Sequence, residues 1–280
     1  MQNILVPTDF STFSHNALHY ALEIAYTSGA KIFLMHALYK GYAPTQASTE
    51  NLHQFIEISH EKANDDFKQY LQKVQEEYSR EELSNMPLEY ILMEGFAVDQ
   101  IIELSQAQHF DLLIIGTKGV SGLRQMFFGS NTQAIIERTD VPVLAVPIEA
   151  QSAEIENIVI ATDLSAKALS AIGKIYDIAQ FLNARLKFLH IIVEETRSYA
   201  DRLEQFLSSV NEILGEDSYD FIEMKARSVL EGLDAYTKEN KVDILAMFRK
   251  KQSSLNDFFA ISFTEKMAFH GKVPVLIFKS

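Results

Sequence analysis

Short, uniformly apolar runs alternate along this chain with longer segments whose apolar residues recur at helical spacing. ILVP (4–7) reads as a buried strand ending at Thr8-Asp9. Ala17, Leu18, Ala21, Leu22 and Ala25 then fall on one face of a helix predicted over about 15–28, with Ser14 as its cap and Gly29 as its stop. KIFLMHA (31–37) is the next strand, and a long helix is expected over about 50–79, with Leu52, Phe55, Ile56, Ala63, Phe67, Tyr70, Leu71 and Val74 along its apolar stripe. A strand after Pro87, a helix at 97–108, a strand at 111–116, a helix at 131–138 and a strand at 142–147 complete this half. Strands that are apolar throughout and alternate with helices predict a parallel sheet covered on both faces.

The pattern is written twice. NILVPTDFSTFSHNALHYALEIAYTSGAKIFLMHAL (3–38) aligns without a gap on NIVIATDLSAKALSAIGKIYDIAQFLNARLKFLHII (157–192), so that Asp9 meets Asp163, Ser11 meets Ser165 and His36 meets His190. DLLIIGTKG (111–119) corresponds to DILAMFRKK (243–251), and VPVLAVPI (141–148) to VPVLIFKS (273–280). The second half has a shorter helix, at about 199–214, where the first has its long one. The expected organisation is one α/β domain over 1–148, a polar linker at 149–156 and a second α/β domain over 157–280, each a doubly wound parallel sheet. The two last strands, 142–147 and 274–279, are expected to pair across the domains as an internal pseudo-dimer.

Composition narrows the function classes. The chain has 280 residues and a formal charge of −13, from 38 acidic residues against 25 Lys and Arg. That balance disfavours non-specific binding to nucleic acid or to an anionic membrane, while leaving room for a local anion site built from backbone N–H groups. No run approaches the roughly 18 apolar residues that span a bilayer, and MQNILVPTDFS is not expected to act as a signal peptide. Cysteine is absent, which removes thiolate and disulfide chemistry and fits a reducing, cytoplasmic setting.

Candidate chemistry concentrates in GTKGVSGLRQMFFGSN (116–131). Gly116 and Gly119 follow an apolar strand, where ligands of open parallel sheets bind. Gly129, Ser130 and Asn131 stand where helix 131–138 begins, with Ser130 or Asn131 as its cap and free N–H groups at its N-terminus. The segment carries neither GxxxxGK[ST] nor GxGxxG. By mechanism alone it is a phosphate cradle or an ordinary structural loop. Lys118 and Arg124 are candidates to neutralise phosphate or are merely exposed, and Phe127 and Phe128 are expected to pack beneath the loop.

The chain resembles two universal stress protein domains in tandem. The resemblance rests on the strand followed by PTDFS, on the terminal VPVLAVP, and on Gly116, two residues, Gly119, nine residues, then Gly129-Ser130. It implies an adenine nucleotide alpha hydrolase-like fold and ATP as ligand, alone or with Mg²⁺. By likeness, Gly116, Gly119, Gly129 and Ser130 would hold the phosphates. Lys118 and Asn131, from their places in the segment and at the helix start, are counted with them as candidate cofactor-binding residues. Asp9 would lie near the adenosine portion, and Ala37 and Leu38 would line the base. It further implies a cytoplasmic stress-response role, protein partners and dimer formation through the last strand. The second half departs from the motif: Phe248 stands for Gly116, Lys251 for Gly119, Ile261 for Gly129 and Phe263 for Asn131, while Ser262 is kept. One nucleotide site, in the first half, is therefore expected, although Lys250 and Lys251 could still attract phosphate.

Several residues carry a structural reading beside the functional one. Asp9 and Asp163 would each cap the loop after a first strand, a role compatible with nucleotide contact at Asp9. His36 and His190 recur in both halves and are expected to make a structural hydrogen bond. His15, His19, His53, His60, His109 and His270 show no recognisable metal spacing with acids, and no metal site is expected. The expected role is an ATP-binding regulator with little or no turnover. Little turnover is expected because Asp9 is the only acid near the proposed cradle and hydrolysis needs a positioned water. A slow ATPase or other nucleotide-hydrolysing or nucleotidyl-transfer enzyme, and a nucleotide-free interaction scaffold, remain as alternatives.

Overall fold

The computed structural model describes residues 1–38, 49–77, 86–117, 129–150, 154–194, 197–249 and 272–279. The first half runs β1 (Asn3–Pro7), α1 (Thr12–Ser28), β2 (Lys31–Leu38), α2 (Thr49–Glu77), β3 (Leu88–Glu94), α3 (Ala97–Ala107), β4 (Leu112–Thr117), α4 (Ser130–Arg138) and β5 (Val143–Pro147). The second runs β6 (Asn157–Ala161), α5 (Ala166–Phe181), β7 (Arg185–Ile192), α6 (Tyr199–Leu214), β8 (Asp220–Lys225), α7 (Val229–Glu239), β9 (Ile244–Arg249) and β10 (Val275–Lys279). The periodicity reading thus places these elements correctly, within a residue or two at most ends. One cap differs. Ser11, not Ser14, caps α1: its side chain accepts from the Ser14 N–H, and Ser14 itself is buried within the first turn. Gly29 closes the helix as expected, with φ 71° and its N–H on the Ala25 carbonyl.

The ten described strands form one sheet in the order β3-β2-β1-β4-β5-β10-β9-β6-β7-β8. Pairing within each half is parallel. The halves meet where β10 runs antiparallel to β5, with Leu276 opposite Leu144. The expected pairing of the two last strands is therefore present.

Alternate strand residues feed two cores, one on each face. Ile4, Val6, Leu112, Ile114, Leu144, Ile158, Ile160, Leu276 and Phe278 face α1, α2, α5 and α6. Leu5, Leu113, Ile115, Val143, Ala145, Val159, Leu245 and Ile277 face α3, α4 and α7. Each core is continuous across the β5–β10 seam, and burying one such Leu or Ile contributes about 1.5–3 kcal/mol. From Ala63 onward α2 belongs to the first layer: Ala63, Tyr70 and Val74 are buried, and Phe67 stacks on Tyr90 at 3.7 Å.

Both halves fasten the start of their first strand in one way. Asp111 Oδ2 accepts from the N–H groups of Gln2 (2.6 Å) and Asn3 (3.0 Å). Asp243 Oδ2 accepts from those of Glu156 (3.0 Å) and Asn157 (2.9 Å). This repeat of function lay in plain view as the Asp of DLLII and DILAM.

Candidate functional site

In the order β3-β2-β1-β4-β5 the winding reverses between β1 and β4, the position at which open α/β sheets bind ligands beyond their strand ends. Ile4 pairs with Leu112 and Leu5 with Leu113, so the chain leaving Pro7 emerges beside Gly116 and Thr117. Helix α4 connects the parallel strands β4 and β5 and so runs back against them, which sets its N-terminus at the same edge.

The loop after β1 is tightly organised. Asp9 Oδ1 accepts from the Ser11 N–H (3.0 Å), the Ser11 hydroxyl (2.5 Å) and the Ser14 hydroxyl (2.9 Å). Burial opposes ionisation of Asp9, but these donors outweigh it and hold its carboxyl below the usual aspartate range. Phe10 takes φ 60°, a conformation that side chains rarely adopt. Its N–H is held by the Thr8 hydroxyl at 3.0 Å, and its ring lies 4.7 Å from His36 and 5.3 Å from Tyr70. His36 Nδ1 bonds the Thr8 carbonyl at 2.8 Å.

The second half repeats this loop. Leu164 has φ 59°, its N–H bonds the Thr162 hydroxyl at 3.1 Å, Ser165 N–H bonds Asp163 Oδ1 at 3.0 Å, and His190 Nδ1 bonds the Thr162 carbonyl at 2.8 Å. The capping role expected for both aspartates and the structural bond expected for both histidines are present. A carbonyl can only accept, so Nδ1 carries the proton in each ring.

The glycines of the motif divide by role. A Cβ on Gly116 would stand 2.0 Å from the Phe13 carbonyl oxygen and 2.9 Å from the Ser14 nitrogen. Gly116 is thus required by the close approach of α1 to the end of β4. In the second half Phe248 holds this position, its ring packed on the same face of the sheet and 6.4 Å from Phe278.

Gly129 behaves differently. A Cβ there meets no atom of the described residues within 4 Å, and its φ of −52° suits any residue, so neither packing among the described residues nor backbone conformation requires glycine. Gly129 is itself the N-cap of α4, in place of the expected Ser130 or Asn131, and supplies no side-chain cap. Ser130 and Asn131 are exposed in the first turn. Thr117, 4% exposed at the end of β4, has a buried hydroxyl that finds no partner among the described residues. Alternation along β4 puts it on the face that α4 covers.

Ala37 and Leu38 end β2, half-buried, with the Leu38 carbonyl accepting from Gly95 N–H at 2.8 Å. Lys118, Gly119, Arg124, Phe127 and Phe128 lie outside the described residues, as do Lys250, Lys251, Ile261, Ser262 and Phe263.

One cluster was not anticipated. His15 and His19, one turn apart on α1, converge with Glu77 at the end of α2. His15 Nε2 lies 2.6 Å from Glu77 Oε2 and 2.9 Å from His19 Nε2, which is 3.4 Å from the same Glu77 oxygen. The i, i+4 histidine pair was readable in the sequence. Its partner, brought in by a second helix, was not.

No helix among the described residues is long and apolar enough to cross a membrane. The universal stress protein family model matches residues 1–147. Universal stress protein Slr1230 of Synechocystis is 23% identical over 300 residues, spanning 100% of both chains. Universal stress protein MJ0531 of Methanocaldococcus jannaschii is 26% identical over 149 residues, covering 52% of this chain and 81% of that protein. The fold is similar to the crystal structure of a universal stress protein from Archaeoglobus fulgidus, with a TM-score of 0.77 and 19% identity, covering 99% of this chain and 98% of that one. With the family model spanning more than half of its length, this chain belongs to the universal stress protein family.

Proposed function

We propose that the protein is an ATP-binding regulator with one nucleotide site, in the first half, and little or no turnover. The observation that carries this reading is the start of α4. Its N-cap has no side chain to satisfy the first N–H groups, and among the described residues the space beside Gly129 is open and the Thr117 hydroxyl at the adjacent strand end has no partner. Unsatisfied N–H groups and the positive end of a helix dipole favour a phosphate.

In this reading Gly119, Gly129, Ser130 and Asn131 cradle phosphate oxygens, and Lys118 adds positive charge. Asp9 contacts the adenosine portion, while Ala37 and Leu38 flank the base. Gly116 serves indirectly, by letting α1 seat the Asp9 loop close to β4. The fold is then of the adenine nucleotide alpha hydrolase-like kind. Residues 1–148 and 157–280 form an internal pseudo-dimer of two domains joined by 149–156, and the second domain lacks the cradle. A regulator of this kind acts through a protein partner in the cytoplasm. Mg²⁺, when it accompanies ATP, would add charge neutralisation at the phosphates.

The Asp9 contacts support the reading of little or no turnover. Asp9 Oδ1 accepts from Ser11 N–H and from the Ser11 and Ser14 hydroxyls, which suits a fixed contact better than a general base.

Calorimetric titration with ATP tests the proposal. About one ATP per chain is expected, with binding lost in Gly129→Val while the fold is retained. No binding by the unmodified protein, or two equivalent sites, would overturn it. Phosphate release followed in the same sample separates a binder from an ATPase.

A further inference from the structure

We propose that His15, His19 and Glu77 form a binding site for a divalent transition-metal ion of the Zn²⁺ class, clamping the end of α2 onto α1. Three ligand atoms converge: His15 Nε2, His19 Nε2 and Glu77 Oε2, at mutual distances of 2.6, 2.9 and 3.4 Å. A point about 2.0–2.1 Å from all three, the usual Zn–N and Zn–O length, lies about 1 Å off the plane of that triangle, where an ion capping the three ligands would sit.

Hydrogen-bond chemistry favours a cation there. His15 Nδ1 lies 3.1 Å from the Tyr70 hydroxyl. When Nδ1–H donates to Tyr70, as a ring nitrogen opposite the metal ordinarily donates to a neighbour, His15 Nε2 presents a lone pair. That lone pair faces a carboxylate oxygen and a second imidazole nitrogen. In the His19 tautomer whose Nδ1 carries the proton, three acceptors are aimed at one point and repel one another unless a proton or a metal ion sits among them. Two imidazoles and one carboxylate match the donor preference of zinc and leave positions for water.

The surroundings fit an accessible, built site. The side chains of His15, His19 and Glu77 are 17%, 26% and 37% exposed, so an ion can enter while the ligands stay held. Tyr70 is packed against Phe10 and His15, which fixes the His15 ring. Lys73 lies 3.7 Å from the other Glu77 oxygen, Oε1, and orients the carboxylate without occupying the ligand atom.

Nothing in the fold demands these histidines. The repeat sets Leu169 opposite His15 and Gly173 opposite His19 in α5, and the second half forms the same helix without them. The site therefore belongs to the first half alone. It lies behind the Phe10 loop, so an ion would tie the end of α2 to the helix that follows the Asp9 loop.

Metal-free full-length protein titrated with Co²⁺ and followed by visible d–d absorption, then with Zn²⁺ in competition with a chromophoric chelator, tests the site. One ion per chain is expected. His19→Gln and Glu77→Gln should each weaken binding by at least about 100-fold, more than the 10–100-fold of a supporting residue, and Tyr70→Phe should fall within that lower range. His109→Gln, which alters a histidine remote from the cluster and 90% exposed, should bind as the unmodified protein does. Far-UV circular dichroism checks that each variant is folded. Absence of stoichiometric binding, or unchanged affinity in folded His19→Gln and Glu77→Gln, would overturn the proposal.

Discussion

His36 Nδ1 donates to the carbonyl oxygen of Thr8 at 2.8 Å, joining the end of β2 to the loop that leaves β1. The bond fixes the carbonyl just before Asp9, while the His36 ring supports Phe10 in its φ 60° conformation. His190 and Thr162 form the matching bond beside Leu164. Replacing either histidine by Ala should cost about 1–3 kcal/mol, from a buried acceptor left unpaired and lost ring packing, as measured by urea unfolding. Only His36→Ala should also weaken ATP binding in calorimetry. Equal losses of ATP affinity in both variants would contradict the assignment of the site to the first half.

Two glycines of one motif should respond oppositely to the same substitution. Gly116→Ala places a Cβ 2.0 Å from the Phe13 carbonyl oxygen, and overpacking of this kind costs about 1–3 kcal/mol. Gly129→Ala meets none of the described residues and should cost under about 1 kcal/mol, the difference between a Gly and an Ala N-cap. Thermal unfolding separates the two, and ATP titration should show the larger fractional loss per unit of stability at Gly129.

Asp9 gives the acid limb of the stability profile a definite sign. Its folded-state pKa is depressed, so its contribution is fully present above the ordinary aspartate value of about 3.9 and is lost as pH falls through the lower folded value. Asp9 as a whole residue is exposed although its carboxyl is partly desolvated by its own loop, so water screens the interaction and the effect is small. Asp9→Asn should be less stable than the unmodified protein at neutral pH. The gap should close below about pH 4 in urea melts. A gap that persists unchanged into acid would point to lost packing and not to lost charge.

The seam between the halves is predicted to make unfolding cooperative. Leu144 and Leu276 are buried and directly opposed in register. Each Leu→Ala change should cost about 2–5 kcal/mol, and the double variant should cost less than their sum because both changes enlarge one cavity. Differential scanning calorimetry should record a single transition. Two transitions, with only one displaced by Leu276→Ala, would show that the halves melt separately.

Much of this was legible in the residues. The repeat located both halves, because strands buried on two faces must be apolar throughout, and it exposed the lost glycines of the second copy. It also marked His36 and His190 as structural, since they recur where the motif does not. The cap of α1 was misplaced from Ser11 to Ser14 because both are serines at an acceptable distance from the apolar stripe, and only the backbone decides between them. Positive φ at Phe10 and Leu164 left no trace, for sequence signals of that conformation come from Gly and Asn. At Gly116 the Phe13 backbone by itself forbids a Cβ, a contact that no local pattern encodes. The His15–His19–Glu77 convergence needed the packing of α2 on α1.

Joining β5 to β10 within one polypeptide has a consequence for symmetry. Two separate identical chains meeting through their last strands must carry identical sites on both sides. A covalent pair is free of that requirement, so one half can lose its glycines while the other keeps them. The seam also forms at any dilution, since its strands are tethered. The ratio of intact to altered motif is thereby set at one to one by synthesis itself, independent of abundance, exchange or assembly order.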